Sequence, residues 1–99
     1  MLNEITPLIL TYNEASNIDR TLQHLTWAEK IVVIDSFSTD ETLEILHSYV
    51  QVQVFGRKFD THAKQWNYGL QQVKSPWVLS LDADYIITDE LTAAQLMSS

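Results

Sequence analysis

Cysteine is absent from the 99 residues, which excludes disulfides, zinc–thiolate sites and thiol nucleophiles. With only two glycines in the chain, neither Gly-x-x-x-x-Gly-Lys-Ser/Thr nor Gly-x-Gly-x-x-Gly occurs, so phosphate-cradling loops of those types are excluded. Positive charge is scarce too: 6 Lys and Arg stand against 13 Asp and Glu, for a net charge of −7. Binding a nucleic-acid backbone needs clustered cations, so that partner is not expected. The same acidic balance suits recruitment of a divalent cation. No apolar run approaches the ~20 residues of a membrane span. The start, Met1-Leu-Asn-Glu-Ile5, lacks the basic and apolar regions of a signal peptide. A reducing, cytoplasmic setting is therefore expected, with peripheral membrane contact left open. What is present, 45% hydrophobic and 19% charged residues, reads as one globular unit with a thin core.

Hydropathy alternates between two periods along the chain. Pro7–Thr11 reads as a first strand, with Pro7 tolerated only at its start. Ala15, Ile18, Leu22 and Leu25 follow at helical spacing, and Asn13 or Ser16 is a candidate cap. Ile31–Ile34 is a buried strand ending at Asp35. Ser38-Thr-Asp-Glu41 has the capping-box pattern for a second helix, whose buried side is Leu43, Ile45, Leu46 and Tyr49 or Val50. Val52–Phe55 alternates as an edge strand, and Gly56 breaks it. Ala63, Trp66, Leu70 and Val73 make the stripe of a third helix, stopped at Lys74-Ser75-Pro76. A fourth strand then runs from Trp77, and Thr88-Asp-Glu-Leu91 opens another helix with acids in its first turn. Strict alternation of this kind predicts an α/β fold with a parallel sheet and right-handed crossovers. The expected strand order is 3-2-1-4, which brings Thr11–Glu14, Asp35–Ser38 and Asp82–Asp84 to one crevice.

The fourth strand, Trp77-Val-Leu-Ser-Leu-Asp82, is the stretch around which the rest is organised. Its apolar run suits a strand buried on both faces. It ends in two carboxylates, Asp82 and Asp84, at the carboxyl rim where open α/β sheets place ligands. Such a pair makes a hard-oxygen site for Mg²⁺ or Mn²⁺, ions that usually carry phosphates. The competing reading is two solvated acids at a strand end, since Asp-x-Asp alone is a weak signal.

Other candidates carry similar alternatives. Asp35 could accept from a nucleobase imide or a ribose hydroxyl, or it could serve, with Ser38, the start of the second helix. Asn13 and Glu14 could frame a base pocket, or Asn13 could cap a helix. Lys64, with Arg57 and Lys58 nearby, is the best local source of positive charge for a diphosphate, although charged residues on exposed helix faces are common. His62 could bind metal or phosphate, though a lone loop histidine more often does neither. Trp66 and Trp77 are expected to be packing residues.

Four segments together resemble one family. Thr11-Tyr-Asn-Glu14, Ile31-Val-Val-Ile-Asp35-Ser-Phe-Ser-Thr-Asp40, Asn67-x-Gly69-Leu70 and Leu81-Asp-Ala-Asp84 are similar, in this order, to the motifs of family 2 inverting glycosyltransferases. The wording is most like the lipopolysaccharide-core β-glucosyltransferase-like branch. The resemblance implies a Rossmann-like GT-A nucleotide-diphospho-sugar transferase fold. It implies that Thr11, Tyr12 and Glu14 line a nucleoside pocket, that Asp35 contacts base or ribose, and that Asp82 meets the nucleotide sugar. Ser36 beside Asp35 and the positively charged Lys64 are counted with them as candidate nucleotide-sugar contacts. Asp82 and Asp84 would hold a Mn²⁺ or Mg²⁺ ion that stabilises the leaving nucleoside diphosphate. A UDP-sugar is the donor this resemblance favours, at the inner face of the membrane.

Three positions depart from the family pattern. Paired acids usually follow the second strand, whereas Asp35 is followed here by Ser36. The glycine usual after them is Phe37, and the residue before Asn67, often basic, is Trp66. A complete GT-A enzyme also continues well past Asp-x-Asp to an acceptor site and a catalytic base. These residues therefore read as a single donor-binding domain, inactive in transfer by itself or relying on a homo-oligomer to cover its missing side. Two rivals remain: a Toprim-like Mg²⁺-dependent nucleic-acid enzyme domain using Glu14 and Asp-x-Asp, and a non-catalytic oligomerising module.

Overall fold

The computed structural model describes residues 5–82, the last of them by its backbone alone. The elements alternate without exception: β1 (Ile5–Thr11), α1 (Ala15–Gln23), β2 (Ile31–Asp35), α2 (Thr42–His47), β3 (Val52–Gly56), α3 (His62–Gln72) and β4 (Trp77–Asp82). All pairings are parallel and the strand order is β3-β2-β1-β4, as the sequence predicts. The expected fourth helix from Thr88 lies outside the described residues.

Both sheet faces are covered, and alternation along the strands sorts their side chains. Ile9, Ile31, Val33 and Leu81 face Ile18, Leu22 and Leu46 from α1 and α2. Leu8, Val32 and Ile34 face Trp66, Tyr68 and Val73 on the α3 side. That split follows from the topology. The chain steps outward from β1 to β3, then reverses to place β4 on the other side of β1, so a right-handed crossover carries α3 to the opposite face.

Three local expectations are corrected. Pro7 lies inside β1, not at its start, because pairing with β2 begins only at Leu8 and the missing amide costs no ladder bond on that side. On α3 the fully buried positions are Gln65 and Gly69. Of the expected stripe Trp66 and Val73 pack against the sheet, while Ala63 and Leu70 are exposed, so the packed face is turned partly away from it. Gly69 explains the shift: a Cβ there would lie 2.7 Å from Leu8 Cδ1 and 3.1 Å from Ile34 Cγ1. The helix sits so close to the sheet that any Cβ there would force the Leu8 side chain to shift. Lastly, β4 is not buried on both faces. It is an edge strand among the described residues, pairing only with β1. Ser80 is exposed and Trp77 is 65% exposed, against its expected packing role.

Candidate functional site

Two strand ends are bonded directly. Thr11 and Asp35 are register partners at the last rung of the β1–β2 ladder, and both are buried. Thr11 Oγ1 donates to Asp35 Oδ1 at 2.7 Å. Ser38 supplies two more donors, its Oγ to Oδ1 at 2.6 Å and its amide to Oδ2 at 2.8 Å. A carboxylate out of water needs such donors on both oxygens. Asp35 therefore builds the turn after β2, the structural alternative the sequence left open.

The two loops beyond these strands cap each other. The amides of Asn13, Glu14 and Ala15 donate to Ser38 Oγ, Thr42 Oγ1 and Asp40 Oδ2. In return Asn13 Oδ1 accepts from the amides of Thr39 and Asp40, at 2.8 and 3.3 Å. Asn13 thus caps the neighbouring loop and not its own helix, with φ at 51°, a conformation asparagine tolerates well. The expected capping box does not form. The Ser38 hydroxyl donates to Asp35, and α2 begins at Thr42, whose amide and hydroxyl both donate to Asp40. These donors hold the Asp40 carboxyl below its usual range, the Thr42 hydroxyl most of all, against a smaller opposing effect of desolvation. Ser16 does not cap α1 either: the helix begins at Ala15 with no side-chain cap bond, and Asp19 accepts from Gln23 and from the hydroxyl of Tyr49.

Phe37 stands between the Asp35 and Ser38 anchors with φ at 59°. This left-handed backbone costs a side chain bearing a Cβ on the order of 1 kcal/mol. The ring is 58% exposed. Nearby, Tyr12 at the end of β1 is also exposed, and Glu14 is half-buried at the start of α1.

On the α3 face, the buried Gln65 joins the ends of β2 and β3. Its Nε2 donates to Ser36 Oγ and to the Arg57 carbonyl, both at 3.1 Å, and its Oε1 accepts from Arg57 Nη1 at 2.8 Å. The Arg57 guanidinium also lies over the Tyr68 ring, 5.4 Å from its centre. Sequence reasoning missed Gln65. The available signal was its place four residues before Gly69, on the face closest to the sheet. Lys64 points elsewhere and pairs with Asp60 at 3.1 Å on an exposed surface. His62 is the first residue of α3, and its Nε2 accepts from the Trp66 indole at 3.2 Å.

Asp82 closes β4 directly opposite Leu10, one residue before Thr11. Three strand ends therefore share one rim, at the point between β1 and β4 where the strand order reverses. Asp84 lies outside the described residues. No trio of acidic, histidine or cysteine side chains able to hold a metal occurs among the described residues. The donor set in question is the Asp82/Asp84 pair, whose hard oxygens fit Mg²⁺ or Mn²⁺. A separate cavity of about 510 Å³ opens at the other end of the sheet, lined by Thr6, Lys30, Gln53 and Lys74 among others, and includes none of the candidate site residues.

Known proteins with this arrangement decide the family. The model of glycosyl transferase family 2 matches residues 8–97. The chain belongs to that family. An uncharacterised glycosyltransferase of Rickettsia bellii (strain RML369-C) is 30% identical over 92 residues, covering 92% of this chain and 31% of its own length. The lipopolysaccharide core biosynthesis glycosyltransferase LpsC of Rhizobium meliloti (strain 1021) is 27% identical over 84 residues, covering 81% of this chain and 31% of its own. The crystal structure of S. aureus TarS 1-349 superposes with a TM-score of 0.78 at 27% identity, covering 94% of this chain and 31% of that one. The family 2 chain described here thus spans about a third of the length of these relatives. Its α/β sheet of order 3-2-1-4 is that of the GT-A neighbour. No helix among the described residues is long and apolar enough to cross a membrane.

Proposed function

We propose that these residues are the donor-binding part of a family 2 glycosyltransferase. The part holds a nucleoside-diphospho-sugar, with UDP as the favoured carrier, for inverting transfer in cell-envelope polysaccharide or lipopolysaccharide synthesis at the cytoplasmic side of the membrane. The observation that supports this reading is the shared rim. Thr11 and Asp35 are bonded across β1 and β2, and Asp82 ends β4 beside them at the reversal of strand order. Thr11, Tyr12, Glu14, Asp35 and Ser36 serve the nucleoside, and Lys64 reaches the diphosphate after leaving Asp60. Asp82 and Asp84 hold a divalent cation, which supplies positive charge for the leaving diphosphate when bound. The name of LpsC supports the envelope role. By themselves these 99 residues bind donor and transfer no sugar, in keeping with their span of 31% of the relatives.

Calorimetric titration tests the reading. UDP and UDP-glucose are titrated into the chain with and without Mn²⁺, in parallel with Asp82→Asn and with a DNA duplex. Binding of the nucleotide that requires Mn²⁺ and is lost in Asp82→Asn is expected. No nucleotide affinity in the presence of Mn²⁺ overturns it, and Mn²⁺-dependent DNA binding instead would favour the Toprim-like alternative.

A further inference from the structure

Phe37 combines three features that together call for a reason. Among the described residues only Asn13 and Phe37 carry a positive φ without being glycine, and asparagine is at ease there while an aromatic residue is not. The turn that imposes this conformation is fixed on both sides of Phe37. The Ser36 amide donates to the Thr11 carbonyl at 2.9 Å, and the Ser38 amide donates to Asp35 Oδ2 at 2.8 Å. The ring so displayed is 58% exposed, a large apolar surface left in water. It is nevertheless held in place. It rests on the bare backbone of Gly56, where an added Cβ would come within 3.1 Å of Phe37 Cε1 and 3.7 Å of Cδ1.

Neither stability nor solubility favours a strained, exposed phenylalanine, whereas strain kept at a ligand rim is a common mark of function. The ring stands two residues after Asp35, on the loop that caps the one bearing Tyr12. We propose that Phe37 is a stacking platform for the base of the nucleoside diphosphate, a further aromatic surface on the rim where Tyr12 is also exposed. This inference rests on the donor-binding reading above and adds a specificity-determining residue to it. The chemistry is direct: every nucleobase offers a π-face, and a preset ring loses little freedom on accepting it. Gly56 takes part by leaving room for the ring.

The test compares UDP with inorganic pyrophosphate, both with Mn²⁺, titrated into the unmodified chain and into Phe37→Ala, Phe37→Gly and Phe37→Trp. Stacking predicts that Ala and Gly weaken UDP by about five- to hundredfold, that pyrophosphate affinity stays unchanged, and that Trp restores UDP binding. Thermal melting supplies an independent readout. Phe37→Gly relieves the backbone strain, so it melts no lower than Phe37→Ala while binding UDP as poorly. Equal UDP affinity across the series, or a parallel fall for pyrophosphate, overturns the stacking role and leaves the donor-binding reading intact. Failure of the unmodified chain to bind UDP overturns both.

Discussion

Thr11 and Asp35 are joined across β1 and β2 by a 2.7 Å hydrogen bond between side chains that are 3% and 1% exposed. The bond closes the sheet at the end where the candidate site lies, and it fixes the carboxyl from which the Ser36–Ser38 turn hangs. Because Asp35 accepts from three groups, its replacement is costlier than that of any one donor. Thr11→Val removes one donor with little change of shape and should cost about 1–3 kcal/mol. Asp35→Asn can keep the Ser38 amide on its carbonyl only by turning its NH2 to the Thr11 and Ser38 hydroxyls, both of which must then reverse to accept. It therefore disturbs three bonds and should cost more. Thr11→Ser keeps the hydroxyl and should stay near the parent. Urea denaturation of the three variants checks the order, and Asp35→Asn as stable as Thr11→Val would contradict it.

Gly69 sets the distance between α3 and the sheet. Alanine is the better helix former by about 1 kcal/mol, so propensity alone predicts that Gly69→Ala stabilises. Packing predicts the reverse, since the new Cβ would meet Leu8 Cδ1 at 2.7 Å and Cδ2 at 3.0 Å. Both are side-chain tips of a fully buried leucine, which must shift within the core to make room. Overpacking of this kind costs about 1–3 kcal/mol. Gly69→Ala should therefore lower the urea midpoint, and Leu8→Val should recover part of the loss in the double variant. Additive effects in that cycle would show that the helix had shifted as a whole.

Much of the architecture is legible in the sequence because it rests on local period. The runs at Ile31–Ile34 and Val52–Phe55, and the spacing of Ile18, Leu22 and Leu25, need no knowledge of the partner to be read. The errors occur where a partner from another element decides. The Ser38–Glu41 pattern is a sound capping box until Asp35 and Asn13 compete for the Ser38 hydroxyl, and no local pattern reveals that competition. Hydropathy chose Ala63 and Leu70 on α3 because glycine and glutamine score as polar. Yet the face nearest the sheet needs the smallest residue, and a buried Gln65 is stable because Ser36 and Arg57 satisfy it. The apolar run from Trp77 to Leu81 suggested double burial, and neither that run nor its length carries the information that only β1 pairs with it among the described residues.

Tyr49 ties α2 to α1 through its hydroxyl, which donates to Asp19 Oδ1. Burial, then the hydrogen bond to Asp19 and the negative charge beside it, push its ionisation up to about 12 from the usual 10.0. A phenol whose folded value is raised stabilises the fold fully below the unfolded value, and that share is lost as pH rises from about 10 through about 12. Ultraviolet titration of tyrosinate should show one late-ionising group that disappears in Tyr49→Phe. Below pH 10 the variant should be less stable than the parent, with the gap closing as alkali ionises the parent's phenol. If the group lost in Tyr49→Phe ionises near the usual 10.0 and not near 12, the Asp19 contact is excluded.

Asp40 has the opposite sign. Its folded value lies below 3.8, chiefly because the Thr42 hydroxyl donates to it, with the Thr42 and Ala15 amides adding to the effect. The stabilisation it supplies is therefore complete above the unfolded value and is lost as pH falls through the folded one. Asp40→Asn keeps an acceptor for one amide but carries no charge at any pH. Its melting temperature should fall furthest below the parent's at neutral pH, and the difference should shrink steadily below about pH 4 as the parent's carboxyl takes up its proton. The same variant loosens the reciprocal caps between the β1 and β2 loops, so hydrogen exchange at the amides of Ala15 and Thr42 should accelerate at pH 7. A melting difference that does not change between pH 7 and pH 2.5 would mean that Asp40 contributes through shape alone and that its charge does not hold the two loops together.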